Sequence, residues 1–126
     1  MIKATLPLEL LCLGAFALPA KLDSKIWAFI AVDSFNGYVF LLDMDTRINK
    51  TSILNNVLAL VDNEDFKKPI DQSFTPVCPE NYSEYKKEIE TLISIHNGYV
   101  VFDNDLTMKI IQPVIADIYL SFERSL

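Results

Sequence analysis

The 126-residue chain is poor in the residues from which most catalytic and cofactor-binding motifs are built. It contains three glycines, which rules out a glycine-rich phosphate loop or a dinucleotide-binding fingerprint. Its two cysteines, Cys12 and Cys78, are too few for a disulfide framework and lack the spacing of a zinc site. We therefore expect no bound cofactor or metal, and we interpret both cysteines as buried thiols of a cytoplasmic protein in a reducing compartment.

A long apolar run and a basic stripe are also missing. No run reaches the 18 or so apolar residues of a membrane span, so no membrane association is expected. Residues 10–20 are as apolar as a signal-peptide core, but Pro7 and Glu9 interrupt the approach to them, and a core strand is the better interpretation. Acidic residues outnumber basic ones by 17 to 11, giving a net charge of -6. Because phosphate binding needs clustered Lys and Arg, the chain is not expected to bind nucleic acid alone.

Apolar residues make up 51% of the sequence, enough for one domain with a real core and, at this length, too few residues for two. Residues 1–126 are therefore treated as a single domain. Hydrophobic patterning predicts three opening strands, at 8–15, 25–34 and 38–44. Between the second and third, Asn36-Gly37 predicts a two-residue hairpin turn, because both positions of such a turn need positive φ.

The second half of the chain predicts alternating helices and strands. Pro76 removes a hydrogen-bond donor from a predicted strand, so we expect a bulge or a displaced strand there. Pro113 should kink or split the last helix. The predicted elements are a helix capped by Asn49, Thr51 or Ser52, a strand at 73–78, a helix from a capping box at Asn81 and Glu84 to Asn97-Gly98, a strand at 99–102, and a final helix capped by Asp103, Asn104 and Asp105.

The resulting order, βββαβαβα, is typical of the ribonuclease H-like fold. The stretch 11–16, followed by the apolar hairpin 26–42, also resembles the opening three strands of retroviral and transposon integrase cores. That resemblance implies an α/β domain with a five-stranded mixed sheet of order 3-2-1-4-5 and helices on both faces. In that family the first strand carries the first catalytic aspartate. Gly14 stands in its place here.

Integrase cores cut and join phosphodiesters with two metal ions, held by an Asp on strand one, an Asp at the end of strand four and a carboxylate on the last helix. Gly14 cannot ligate a metal. Residues 77–81 match the end of the fourth strand, and Cys78 most closely takes the place of the second aspartate. The last helix offers three carboxylates outside any recognisable motif: Asp105, Asp117 and Glu123. The resemblance therefore implies a core that has lost its catalytic residues, and we expect no enzymatic activity.

Other carboxylates provide a fallback ligand set consisting of Asp33, Glu80 and Asp103. In a sheet of order 3-2-1-4-5, Asp33 and Asp103 fall on opposite flanks, which is too far apart to share a metal. We interpret Asp33 as a turn residue and Asp103 as a helix cap. The single histidine, His96, precedes Asn97-Gly98 at a helix end, where a polar side chain interacts with the helix dipole.

Three functions remain open from the sequence. The first is a catalytically inactive integrase-like core that serves as a binding or assembly module, through self-association as a dimer or through a protein partner. The second is an acidic α/β protein-interaction domain unrelated to nucleic acid, and the third is a metal-dependent nuclease with shifted carboxylates. An apolar patch on the last helix would serve assembly: Tyr119, Phe122 and Leu126. A basic groove would instead favour nucleic acid, and its candidates are Lys21, Lys25, Lys50, Lys67 and Lys68.

Overall fold

The computed structural model describes residues 4–18, 25–69 and 71–125, except for the side chains of residues 122, 124 and 125. The observed element order matches the βββαβαβα prediction, with a 3₁₀ helix added before the second α-helix. The elements are β1 (Leu10–Ala17), β2 (Trp27–Asp33), β3 (Val39–Asp45), α1 (Lys50–Val61), β4 (Thr75–Cys78), the 3₁₀ helix (Glu80–Tyr85), α2 (Lys86–Ser94), β5 (Val101–Phe102) and α3 (Asn104–Ser125).

The five strands form one mixed sheet in the order β3-β2-β1-β4-β5, which confirms the predicted fold class. β1 lies at the centre, antiparallel to β2 and parallel to β4. Its first five residues are all buried, because Leu10 to Leu13 are apolar on both faces of a strand that is covered on both sides. The apolar run that resembles a signal-peptide core is therefore the central strand of the sheet.

Each face of the sheet carries its own core. Leu11 and Leu13 of β1 point to the face covered by α1 and α2, where Val57 and Ile89 are fully buried. Alternate residues of the same strand, Cys12 among them, point to the other face and pack with α3. This alternation decides which side chains can share a site. Within the described ranges, no helix is both long enough and apolar enough to cross a membrane.

The β2–β3 hairpin forms where Asn36-Gly37 predicted it, but its loop is longer than two residues. Asp33 N–H donates to the Tyr38 carbonyl at 2.9 Å, which leaves residues 34–37 in the loop. Gly37 alone takes a positive φ, of 76°. The side chain of Asn36 accepts a hydrogen bond from Tyr38 N–H at 2.9 Å, so the turn closes through a side chain rather than through paired left-handed residues.

At Pro76 the structure differs from the expectation, and at Pro113 one of the two expected outcomes, a split helix, is not observed. β4 keeps a continuous register with β1, without the bulge or displacement expected at Pro76. Thr75 N–H donates to Glu9 on the β1 side, so the nitrogen of Pro76 faces β5. There the pairing is interrupted between the bridge at Phe74 and the ladder that resumes at Val77. Pro113 does not split the last helix, since α3 runs unbroken from Asn104 to Ser125.

Helix ends follow the predicted positions with two changes. Asn49 and Ser52 form a reciprocal capping box at the start of α1, as the sequence indicates. The capping box expected at Asn81 and Glu84 does not form, because those residues lie inside the 3₁₀ helix that leads into α2. At the far end of the helical segment, Asn97 rather than Gly98 takes the left-handed conformation, with φ 62°.

Candidate functional site

A cleft of about 210 Å³ opens beside Gly14, between β1, the residue after β4 and one face of α3. It coincides with the place where the integrase resemblance puts the catalytic metals. The residues that line it are neutral, and none is a carboxylate, histidine or thiol: Leu13, Gly14, Ala15, Pro79, Asn104, Thr107, Met108, Ile111, Gln112 and Ile115. The floor is apolar, and the polar groups are amides and one hydroxyl.

Ile111 of α3 fills the space that a side chain at position 14 would need. A Cβ atom built on Gly14 would lie 2.7 Å from Ile111 Cδ1, well inside van der Waals contact. Ile111 is 5% exposed and belongs to the core between the sheet and α3. Glycine at position 14 thus allows the close approach of α3, and a larger residue there would require the end of the Ile111 side chain to turn aside.

Cys78 does not share the cleft with Gly14. The β1–β4 register pairs Cys12 with Val77, and continuing it by two residues places Gly14 beside Pro79. Pro79 lines the cleft, whereas the fully buried Cys78 belongs to the core cluster on the opposite face of the sheet. The residue that faces Gly14 is therefore Pro79, which directly follows β4 and is one position later than the integrase resemblance suggested.

Both thiols are buried and free, as interpreted from the sequence. Burial, with a smaller contribution from Asp103, raises the pKa of Cys12 from 9.0 to about 12. Burial, with a smaller contribution from Cys12, raises the pKa of Cys78 from 9.0 to about 12. A nucleophilic role needs a lowered thiol pKa, so neither cysteine is suited to one.

The raised thiol pKa values predict a loss of stability in alkali. Between pH 9 and 12 the unfolded chain releases thiol protons that the folded chain still holds, so the free energy of unfolding falls as pH rises. Urea unfolding at pH 8, 9.5 and 10.5 checks this, with a Cys12→Ala/Cys78→Ala double variant as the control. We expect a smaller decline in the control. Equal declines in the two proteins would contradict the buried thiol environment.

The carboxylate of Asp33 is fully buried and already occupied by the backbone. Its Oδ2 accepts a hydrogen bond from Leu8 N–H at 2.8 Å, and its Oδ1 accepts one from Phe35 N–H at 2.9 Å. The first bond holds the chain before β1, where Leu8 has a positive φ of 63°. The second stabilises the hairpin loop. Asp33 is thus the turn residue that the sequence suggested, and it also ties the start of β1 to the β2–β3 loop.

The other fallback carboxylates hold the start of α3 and the end of β4 together. Asp103 Oδ1 accepts from Leu106 N–H at 3.1 Å, as a helix cap does. Asn104 accepts from Glu80 N–H at 2.8 Å and donates to Glu80 Oε2 at 3.1 Å. Over the described residues, no group of three His, Cys, Asp or Glu side chains is close enough to hold a metal. Asp33, Glu80 and Asp103 are therefore not brought together, and Asp105, Asp117 and Glu123 do not line the cleft.

Three of the five lysines proposed for a basic groove make separate contacts instead, and for Lys67 no contact with a described residue marks a groove. Lys25 lies over the ring of Trp27, 5.8 Å from its centroid, before β2. Lys50 pairs with Glu88 at 3.3 Å, between α1 and α2. Lys68 donates to the Gln72 carbonyl at 2.8 Å in the loop after α1. Lys21 lies outside the described residues.

Two further residues from the sequence analysis lie near helix ends. His96 follows α2 and lines a surface depression with Lys68 and Asn97, away from the Gly14 cleft.

On α3, Tyr119 packs edge-on against Phe16 and donates to the Ala17 carbonyl at 2.6 Å. Tyr119 is thus partly used inside the domain. The side chain of Phe122 and residue Leu126, the other members of the expected patch, lie outside the described part of the chain.

Sequence reasoning did not identify the role of α3 in the cleft. Ile111 is one of several apolar residues on the last helix, and nothing in the sequence marks it or Gln112 as part of a site. Both line the cleft at Gly14 because α3 crosses β1 at this level, a long-range contact that helical periodicity does not encode.

The contact between Gly14 and Ile111 can be tested by a double-mutant cycle. Gly14→Ala should lower the free energy of unfolding by about 1 kcal/mol, because its Cβ forces the Cδ1 methyl of Ile111 to turn aside. Ile111→Val removes that atom and leaves the next nearest ones 3.7 Å and 3.9 Å from the new Cβ. In the Ile111→Val background, Gly14→Ala should therefore cost about 1 kcal/mol less. Urea denaturation followed by Trp27 fluorescence measures all four proteins, and strict additivity would contradict the close contact.

Comparison with known proteins identifies the architecture. The sequence matches no protein-family model and no curated protein. Among solved structures, a chain of the simian T-cell lymphotropic virus intasome in complex with the PP2A regulatory subunit B56 gamma matches all of this chain and 46% of its own, with a TM-score of 0.72 and 11% identity. The HTLV-2 integrase catalytic core domain in complex with magnesium, in a dimeric form, matches 94% of this chain and 76% of its own, with a TM-score of 0.64 and 14% identity.

These identities are low, and the chain spans less than half of the intasome chain that it matches. The likeness covers the whole described domain, including the sheet order and the placement of helices on both faces. The resemblance stated from residues 11–16 and the hairpin is thereby confirmed as a resemblance of fold. The chain has the ribonuclease H-like fold of a retroviral integrase catalytic core.

Proposed function

We propose that this domain is a catalytically inactive integrase or transposase core-like module that acts in binding or assembly. The observation that carries the proposal is the cleft at Gly14. It has neutral residues where an active core needs metal-binding carboxylates, and the end of the Ile111 side chain lies against the position where the side chain of the first carboxylate would begin.

The electrostatic argument is direct. Two divalent ions that support phosphoryl transfer bring four positive charges to a site only 3.5 to 4 Å or so across, and hard cations need anionic oxygen ligands. Gly14, Pro79 and Gln112 offer no anionic oxygen at this cleft. The amides of Asn104 and Gln112 can hydrogen-bond a ligand, but they cannot compensate that charge.

A protein partner fits the remaining features better than nucleic acid alone. The net charge of -6 opposes phosphate binding, and Lys25, Lys50 and Lys68 are held in separate contacts rather than in one groove. The similar structures themselves are an intasome in complex with a phosphatase subunit and a dimeric integrase core. We infer by analogy that this domain associates with a second copy or another protein. Two free buried thiols suit a reducing compartment such as the cytoplasm.

An acidic interaction domain with no link to nucleic acid is the second candidate. The placement of Lys25, Lys50 and Lys68 favours it, because these three lysines are held in separate contacts and do not form one basic groove. A salt titration distinguishes the two candidates. Duplex DNA that joins a complex of this domain with its partner, and leaves as salt rises, supports the first. A partner complex indifferent to DNA supports the second.

A nuclease assay tests the proposed absence of catalytic activity. Labelled single-stranded and duplex DNA and RNA are incubated with the protein in Mg²⁺ or Mn²⁺, and we expect no cutting or joining above the protein-free control. Metal-dependent cutting that survives Asp43→Asn, an exposed control, and disappears on Asp33→Asn or Glu80→Gln would contradict the proposal. It would show that the ligand set has moved to the fallback carboxylates.

A further inference from the structure

The outer side of β3 is an open edge of the sheet. β3 pairs with β2 and with no other described strand. Asp33 N–H bonds to the Tyr38 carbonyl, and the alternation of an antiparallel ladder then turns the backbone groups of Phe40 toward β2. The N–H and C=O groups of Val39 and Leu41 consequently point outward, where an added strand can bond to them.

A one-residue bulge separates the side chains of β3 into two rows. The register pairs Ile30 with Leu41 but Phe29 with Asp43, so one extra residue is inserted between them. Val39, Leu41 and Met44 therefore lie on the face of the sheet that α3 covers. Without the bulge, Asp43 would follow Leu41 on that face.

The first row is apolar and exposed. Val39 is 37% exposed, Leu41 59% and Met44 54%, although their β2 neighbours on the same face are buried. The reason is that α3 packs mainly over β1 and β4, and β2 separates β1 from β3 in the sheet. These three side chains, here named the β3 apolar row, continue the buried face of the sheet out to its open edge. Large exposed apolar residues in a continuous row mark interaction surfaces.

The second row is acidic. Asp43 and Asp45 pair with Phe29 and Trp27 of β2, on the face that α1 covers. Each accepts one local backbone hydrogen bond through Oδ1, from Met44 and Arg47. Neither carboxylate forms an ion pair with any described residue. The two aspartates and the bulge are features that discourage pairing with a like strand, so a strand added here has to complement the acidic row.

We propose that the outer edge of β3 binds an extended segment of another protein in which apolar and basic residues alternate. Strand addition would satisfy the outward backbone groups and place its apolar residues on the β3 apolar row. The alternate side chains of the added strand then fall on the other face, beside Asp43 and Asp45. A second copy of this chain fits less well, because it brings two more aspartates and a further net charge of -6 to the contact.

The proposal specifies a surface for the binding role proposed above and rests on that role. The probe is a fluorescein-labelled ten-residue peptide of alternating valine and lysine, and fluorescence anisotropy measures its binding to the full chain. We expect saturable binding that weakens as salt rises. Leu41→Lys should weaken it about tenfold, because it removes apolar contact and adds a like charge. The matched control is Ile95→Lys, a change at a residue 75% exposed and outside the sheet, which should leave binding unchanged.

Two further peptides separate strand addition from general attraction of charge. A valine–glutamate peptide should not bind, and a valine–lysine peptide N-methylated at alternate residues should lose binding because it cannot complete the ladder. Equal binding of the methylated peptide, or equal binding by wild type and Leu41→Lys, would overturn the proposal. So would a dimer in sedimentation that Leu41→Lys dissociates, since a second copy would then occupy the edge. Nuclease activity is measured separately, so the two proposals can fail independently.

Discussion

Gly98→Ala is expected to lower the free energy of unfolding by about 3 kcal/mol, the largest effect of adding a methyl group at any of the three glycines. A Cβ atom at position 98 would lie 2.5 Å from Phe74 Cε1 and 2.6 Å from Ile93 Cγ2. Both neighbours are buried in the core between the sheet and the α1–α2 layer, so neither can move aside into solvent. Gly98 also bridges to Phe74 in the sheet, and its N–H closes the end of the preceding helix on Ile93.

Gly37→Ala is the matched control for Gly98→Ala. Gly37 has a positive φ of 76°, and nothing lies within 4 Å of a Cβ built there. The cost should therefore be only the backbone strain of about 1 kcal/mol. Urea unfolding followed by the fluorescence of Trp27, the only tryptophan, measures both variants. If Gly37→Ala proved the more destabilising, the close packing of Gly98 against Phe74 would be contradicted.

Asp33→Ala is expected to cost about 3 kcal/mol, because two backbone N–H groups lose their acceptor at a fully buried site. One N–H belongs to Leu8, just before β1, and the other belongs to Phe35 in the hairpin loop. Asp33 therefore joins these two segments. Asp33→Asn should lower the free energy of unfolding by an intermediate amount. The amide oxygen can still accept one of the two hydrogen bonds, but the amide NH₂ group then faces the other backbone N–H, which is also a donor.

The same pair of variants separates a structural Asp33 from a metal ligand. If Asp33 served only to bind a metal, replacing it would not lower the free energy of unfolding in metal-free buffer, because the metal is absent there. The measurement is the free energy of unfolding in EDTA, with Asp43→Asn, an exposed carboxylate, as the reference. Full stability of Asp33→Ala in EDTA would contradict the hydrogen-bonded role and revive the nuclease hypothesis.

The strands could be predicted because local patterns specify them, whereas their order in the sheet was implied by the resemblance to integrase cores. The apolar run at 10–13 identifies a strand buried on both faces, and Asn36-Gly37 indicates where the chain reverses. The exact loop could not be predicted, since the side chains of Asp33 and Asn36 provide hydrogen bonds that compete with the two-residue turn.

The site was harder to predict than the fold. Successive side chains of a strand point to opposite faces of the sheet, so an alignment that is wrong by one residue places a side chain on the wrong face. The assignment of Cys78 to the second metal position is wrong by one residue in this way. Only the pairing of Cys12 with Val77 shows that Pro79, not Cys78, faces Gly14. The contact of Ile111 with Gly14 joins residues far apart in sequence, so no local pattern could reveal it.

The neutral lining of the cleft and the close packing of Ile111 are consistent with each other. Glycine at position 14 lets α3 pack closely on β1, and Ile111 extends the core up to the cleft. Gly14→Asp alone is then not expected to restore metal binding. The new side chain would meet Ile111, and it would be a single anion in a cleft whose other lining groups are neutral.

Metal binding at the Gly14 cleft is the most direct test of the central claim. Mn²⁺ is titrated into the ¹⁵N-labelled protein, and paramagnetic broadening of the amide signals of Gly14, Thr107 and Gln112 is followed by NMR. An integrase-like core that has lost its ligands should show no selective broadening at these three residues up to millimolar metal. Saturable broadening centred on them, at concentrations that leave the exposed carboxylate region around Asp43 unaffected, would contradict the claim and indicate a working metal site.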